Sequence, residues 1–160
     1  MWEYTSKNSY PSITLHDCTV ESVRLEKQDI VFMFDDGGFW ISKEHPQNPF
    51  GESLRTGQAE LRFTNVDPGF LSISVYHVWR FAGRRVFTTR RKLSFDDFAA
   101  KINSGMWAFE VVDEYYGYRR AMFCGYAHAN KKPYFIEMQI EVYYEESQYR
   151  WNKIYEDRTW

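Results

Sequence analysis

The clearest alternation in the chain runs from 134 to 144. Tyr134, Ile136, Met138, Ile140, Val142 and Tyr144 face one way; Phe135, Glu137, Gln139, Glu141 and Tyr143 face the other. A period of two with one apolar face belongs to a half-buried β-strand. The same period recurs at 71–81. There Leu71, Ile73, Val75, His77, Trp79 and Phe81 form an apolar row, backed by Ser72, Ser74, Tyr76, Val78 and Arg80. That row predicts a core-facing strand, with His77 a hydrogen-bonded core histidine. A turn centred on Gly83 returns the chain through a strand from Val86 to Leu93.

Shorter strand patterns cover 13–15 and 20–25, joined by a bulge near Asp17-Cys18, and then 59–66, 107–114 and 119–127. Between Ile30–Phe34 and Phe39–Ile41 lies Asp35-Asp36-Gly37-Gly38. Asp-Gly between apolar runs predicts a hairpin, because its two central residues reach positive φ. The stretch 42–57, punctuated by Pro46, Pro49, Gly51 and Gly57, reads as a long surface excursion with a solvated His45. The tail, 148–160, fits a short helix or an edge strand alike.

One helix is predicted, over about 95–103. Ser94 supplies an N-cap, Asp96 and Asp97 fill the first turn, and Phe95, Phe98, Ala99 and Ile102 form an apolar stripe ending at Asn103-Ser104-Gly105. So short a helix must pack its stripe on a sheet to persist. Eight to ten strands with this capping helix imply a mainly β, single-domain antiparallel β-sandwich or barrel spanning 1–160. The helix would cover an open end or edge. The 160 residues suit one domain.

Aromatic residues make up 19% of the chain, which reinforces the β reading and supplies material for a binding surface. The charge is −2 overall, from 7 basic and 11 acidic residues in 1–80 against 13 and 11 in 81–160. That balance argues against a dedicated nucleic-acid binder. The basic excess has a focus, however. Arg80, Arg84, Arg85, Arg90, Arg91 and Lys92 fall within thirteen residues, interleaved with Phe81 and Phe87. Arginine beside aromatics suits an acidic protein partner or another anion, and it also suits phosphates and stacked bases. A third role is to keep a sheet edge from pairing with its neighbours. Tyr76, Arg80, Arg84, Arg85, Arg90 and Arg91 are the candidate binding residues.

No comparable focus exists for catalysis. His16, Asp17 and Cys18 stand together, but along a strand His16 and Cys18 are about 6–7 Å apart, beyond hydrogen-bond reach. His16, His45, His77 and His128 are scattered, so no metal site and no cofactor is expected, and phosphate-cradling glycine loops are absent. Glu137 and Glu141 share a face about 13 Å apart, beyond the roughly 5–9.5 Å of glycosidase pairs. The balance leans away from an enzyme. Cys18 and Cys124 read as small hydrophobes rather than a disulfide. The start of the chain lacks a signal-peptide pattern, and the longest uncharged stretch, Pro68–Trp79, is too short to span a bilayer. A soluble cytoplasmic protein is expected.

Leu15-His16-Asp17, a short strand, an apolar run and Asp36-Gly37-Gly38-Phe39-Trp40 follow one another within residues 12–42. This segment resembles small uncharacterised bacterial all-β proteins, some of which look like immunity proteins of polymorphic toxin systems. The resemblance carries no functional residues with it and implies a bacterial protein that binds another protein. The favoured function is accordingly non-enzymatic binding of a protein partner. The alternative is a small-ligand binder or small enzyme with an aromatic-lined pocket inside a barrel, using His77 or His128. Weak nucleic-acid binding comes third. A homodimer remains open, with Trp2, Trp151 and Trp160 either packed on the body or joining two subunits.

Overall fold

The computed structural model describes residues 2–159. The elements begin with β1 (Tyr4–Lys7), β2 (Ile13–Thr14), β3 (Cys18–Glu26), β4 (Asp29–Phe34) and β5 (Trp40–Ile41). They continue with β6 (Leu54–Thr56), β7 (Ala59–Thr64), β8 (Ser72–Phe81), β9 (Arg84–Leu93) and the helix α1 (Phe95–Asn103). The last are β10 (Trp107–Gly117), β11 (Arg120–Ala129), β12 (Phe135–Tyr143), β13 (Glu146–Trp151) and β14 (Ile154–Thr159). Ten strands form one antiparallel sheet in the order β1-β13-β7-β4-β3-β10-β11-β12-β8-β9, and four short ones form a second, β14-β6-β5-β2. The strands beyond the sequence expectation are β1, β6, β13 and β14, none longer than six residues.

The large sheet coils on itself. Phe63 of β7 and Phe123 of β11 stand four strands apart in the order, yet their rings lie 5.8 Å apart, and Phe32 meets Phe123 at 6.3 Å. One sheet therefore supplies both walls of the core over this stretch. The small sheet covers the β13 side, where Phe39 packs edge-on to Tyr149 and Trp151. The barrel alternative is excluded: β1 and β9 end the large sheet without joining, and the result is an open, sandwich-like fold.

Helix α1 forms as expected, with Ser94 Oγ accepting from the Asp97 N–H at 3.1 Å and Phe98 and Ile102 buried. It does not cover an edge. It lies against β3 and β10 near the middle of the sheet, Phe98 edge-on to Phe109. β10 pairs with β3 only from Cys18 to Val20, and past that point Asn103 takes the place of a neighbouring strand. Its side chain accepts from the Val23 N–H and donates to the Val23 carbonyl, both at 2.8 Å.

Two turns differ from the sequence reading for one reason: the chain is changing sheets. The Asp-Gly run makes a corner from β4 to β5, not a hairpin, with the Gly38 N–H bonded to the Asp35 carbonyl at 2.9 Å. Gly38 sits at φ +52, and a Cβ there would lie 2.1 Å from the Gly57 carbonyl oxygen, so only glycine fits. The corner drives Phe39 into the core, fully buried. Likewise the break at Asp17 (φ 56) is a turn between β2 and β3 rather than a bulge in one strand.

The segment 42–57 is anchored rather than solvated. Asn48 donates to three carbonyls, those of Ile41, Ser42 and Glu52, and β6 closes the segment. His45 is buried, not solvated: its Nδ1 accepts from the Gln47 N–H, Nε2 contacts Ser6 Oγ at 3.1 Å, and the ring packs on Trp151. Burial holds the imidazole pKa below its ordinary value. The tail resolves as strand. β13 lies inside the large sheet with Trp151 in the core, and β14 edges the small sheet. Trp160 lies outside the described residues. No helix among the described residues is long and apolar enough to cross a membrane.

Candidate functional site

β8 and β9 are ten-residue strands joined by Ala82 (φ 48) and Gly83 (φ 77), the left-handed pair a tight hairpin turn requires. Their inner halves belong to the sheet. β12 pairs with β8 from Ser72 to Tyr76, and its last rung is Glu137 with Tyr76. From His77 to Phe81, β9 is the only strand paired with β8 among the described residues. The outer half of the hairpin thus projects beyond the body.

This projection corrects the reading of 71–81 as one core row. Ile73 and Val75 are buried, but His77 is exposed, and so are Trp79 (54%) and Phe81 (78%). Alternation specified the face correctly but could not show that β12 parts from β8 after Tyr76. On β9, Val86 and Phe87 are also exposed, and Phe87 stacks on Trp79 with ring centres 5.5 Å apart.

Direct ladder partners share a face. The register therefore places Tyr76, Arg80, Arg85 and Arg90, with Lys92, on the outer face, and Arg91 opposite Val75 on the inner one. Arg84 pairs with Phe81 at the turn. The predicted basic residues share one hairpin but not one face. A bulge at Val86 increases the local twist and turns the tip relative to the sheet.

The electrostatics of this hairpin contrast with those on β3, β4, β7 and β13. There Arg62 meets Glu26 at 2.6 Å, Asp29 at 2.9 Å and Glu60 at 3.6 Å. Buried Glu60 is also reached by Arg24 and Arg150, at 3.2 and 3.3 Å. The β8–β9 hairpin has six cations and no acidic residue of its own. Among the described residues its one ion pair is Arg85 with Glu137, at 3.9 Å and with both side chains exposed. Arg90 donates to Ser74 Oγ and Arg85 to Thr88 Oγ1, each at 2.9 Å, bonds that orient the guanidinium groups without neutralising them.

A recess of about 530 Å³ opens beside the unpaired part of β8, between Trp79 and Arg80 on one side and Tyr126, Pro133, Phe135 and Glu137 on the other. Tyr76 donates to Gln139 Oε1 at 2.9 Å and closes its inner end. The alternation places Phe135 and Glu137 away from the core; their convergence on Arg85 and Trp79 depends on strand order, which no local pattern reveals.

Other groups offer less chemistry. The Cys18 thiol is buried, donates to the His16 carbonyl, and is pushed by desolvation up to about 12, so it is no nucleophile near neutrality. Cys124 is free and half-buried. His128 pairs with Glu110 on the outer face of the sheet. No group of three or more metal-ligating side chains occurs among the described residues. The space among Val20, Phe32, Phe109 and Phe123 is about 10 Å³, no more than one water needs. A cleft of about 370 Å³ where α1 begins has mostly apolar walls, including Leu25, Leu71, Leu93 and Phe95. Comparison with known proteins gives no match to a family model, to a curated protein or to a solved structure.

Proposed function

We propose that this chain is a non-enzymatic protein-binding module of a bacterial cytoplasm, and that it holds an acidic partner through the β8–β9 hairpin. One observation carries the reading. Six cations stand on a projecting hairpin with a single carboxylate at ion-pair distance, while the same fold neutralises Arg62 three times over. Like charges left together repel, and an acidic surface relieves that repulsion and speeds encounter. Trp79 and Phe87 add exposed aromatic area between the arginines, the composition typical of interface hot spots. A second copy of the chain would bring its own cations and fits poorly. The immunity-protein likeness at 12–42 implies the same kind of work, holding another protein.

Salt tests the reading. The tagged chain, used as bait in extract from its own cells, should retain an acidic protein at low ionic strength and release it progressively as salt is raised. A partner that stays bound at 1 M salt, or nucleic acid recovered in its place, would overturn the proposal.

A further inference from the structure

We propose that the partner adds an extended strand to the open edge of β8 between His77 and Phe81, filling the place that β12 vacates; this rests on the reading of the hairpin as a protein-binding element. The ladder fixes the location. β12 leaves β8 after the Glu137–Tyr76 rung, while β9 holds β8 in strand geometry up to the turn. Along this segment every second N–H and carbonyl of β8 points to the side β12 has left. The open edge is five residues long, on the order of 17 Å, enough for a short strand. The recess of about 530 Å³ lies along this edge, with Phe135 and Tyr126 on its far wall.

The register also specifies the incoming sequence. Side chains that align with Val78 and Arg80 would lie on the outer face, beside Arg85. Those that align with His77, Trp79 and Phe81 would lie on the inner face, beside Phe87. The complementary strand therefore alternates acidic and apolar residues. The outer edge of β9 is also unpaired, but five of its ten residues are cations and it has no facing wall. The recess with its aromatic wall lies on the β8 side of the hairpin.

The test uses the full chain and four probes at 50 mM salt: a blocked peptide alternating Glu and Val, two forms of it N-methylated at odd or at even amides, and polyglutamate of equal charge. A strand has one edge facing β8, so one methylated form should bind at least tenfold more weakly while the other binds like the parent. Polyglutamate should also bind at least tenfold more weakly, and Phe87→Ser, on the inner face with Trp79, should weaken the parent peptide alone by a similar factor. If all four probes bind alike and all are lost in Arg80→Ser/Arg84→Ser/Arg85→Ser, strand addition is overturned while the acidic-partner reading stands. If no acidic probe binds, both fall.

Discussion

Tyr76 and Glu137 form the last rung between β8 and β12, and everything distinctive about the hairpin follows from where that rung lies. On one side of it, Ile73 and Val75 are core residues; on the other, Trp79 and Phe81 of the same row are exposed. Trp79→Ser should therefore change folding stability by no more than about 1 kcal/mol, the worth of its stacking on Phe87. It should weaken partner binding by about tenfold or more. Thermal unfolding and a binding titration on the same variant check both halves.

Arginines on the two halves of the sheet should behave oppositely. Arg62→Ser takes from Asp29 its cation and from Glu26 its closest one, while Glu60 keeps Arg24 and Arg150, and should cost about 1–3 kcal/mol. Arg84→Ser removes a cation with no carboxylate within ion-pair distance among the described residues, and should leave stability within about 0.5 kcal/mol. Urea unfolding of the two variants separates these outcomes. Equal losses would mean that the hairpin arginines are structural.

Glu114 gives the fold a pH dependence. Its Oε1 accepts from the Leu15 N–H at 2.8 Å, and desolvation raises its pKa from the ordinary 4.5 to about 7. A carboxyl raised on folding binds its proton more tightly in the native state. Its contribution is therefore fully present below pH 4.5 and is lost as pH rises through 7. Between pH 5 and 8.5 this group alone should lower stability by about 2 kcal/mol. Glu114→Gln keeps an acceptor for Leu15 and should remove that part of the slope, as unfolding at the two pH values would show.

Asn103 is the tie between α1 and β3. Asn103→Ala leaves the Val23 N–H and carbonyl without their partner at a buried position and should cost about 2 kcal/mol. Amide exchange should quicken at Val23 in particular.

The inner halves of the elements were legible because each carries its own period: Ile136 to Val142 are core as their alternation requires, and Ser94 caps α1. Sheet membership was not legible. Asp35–Gly38 looks locally like a hairpin, yet the space beside Gly57 and the core site for Phe39 send the chain to the other sheet. His45 looked solvated because its partners, Ser6 and Trp151, lie far away in sequence. The candidate site was half legible. Arg80 to Arg91 announced themselves by composition, whereas the place of Phe135 and Tyr126 beside the open edge of β8 follows from β12 parting from β8 at Tyr76 while staying paired with β11.

The most direct measurement is native mass spectrometry on the chain and on its Arg80→Ser/Arg84→Ser/Arg85→Ser variant, each isolated gently from its own cells. The expected result is a one-to-one complex with an acidic protein for the unaltered chain and a folded, solitary variant. The same companion on both, or a homodimer and nothing else, would contradict the assignment of the hairpin.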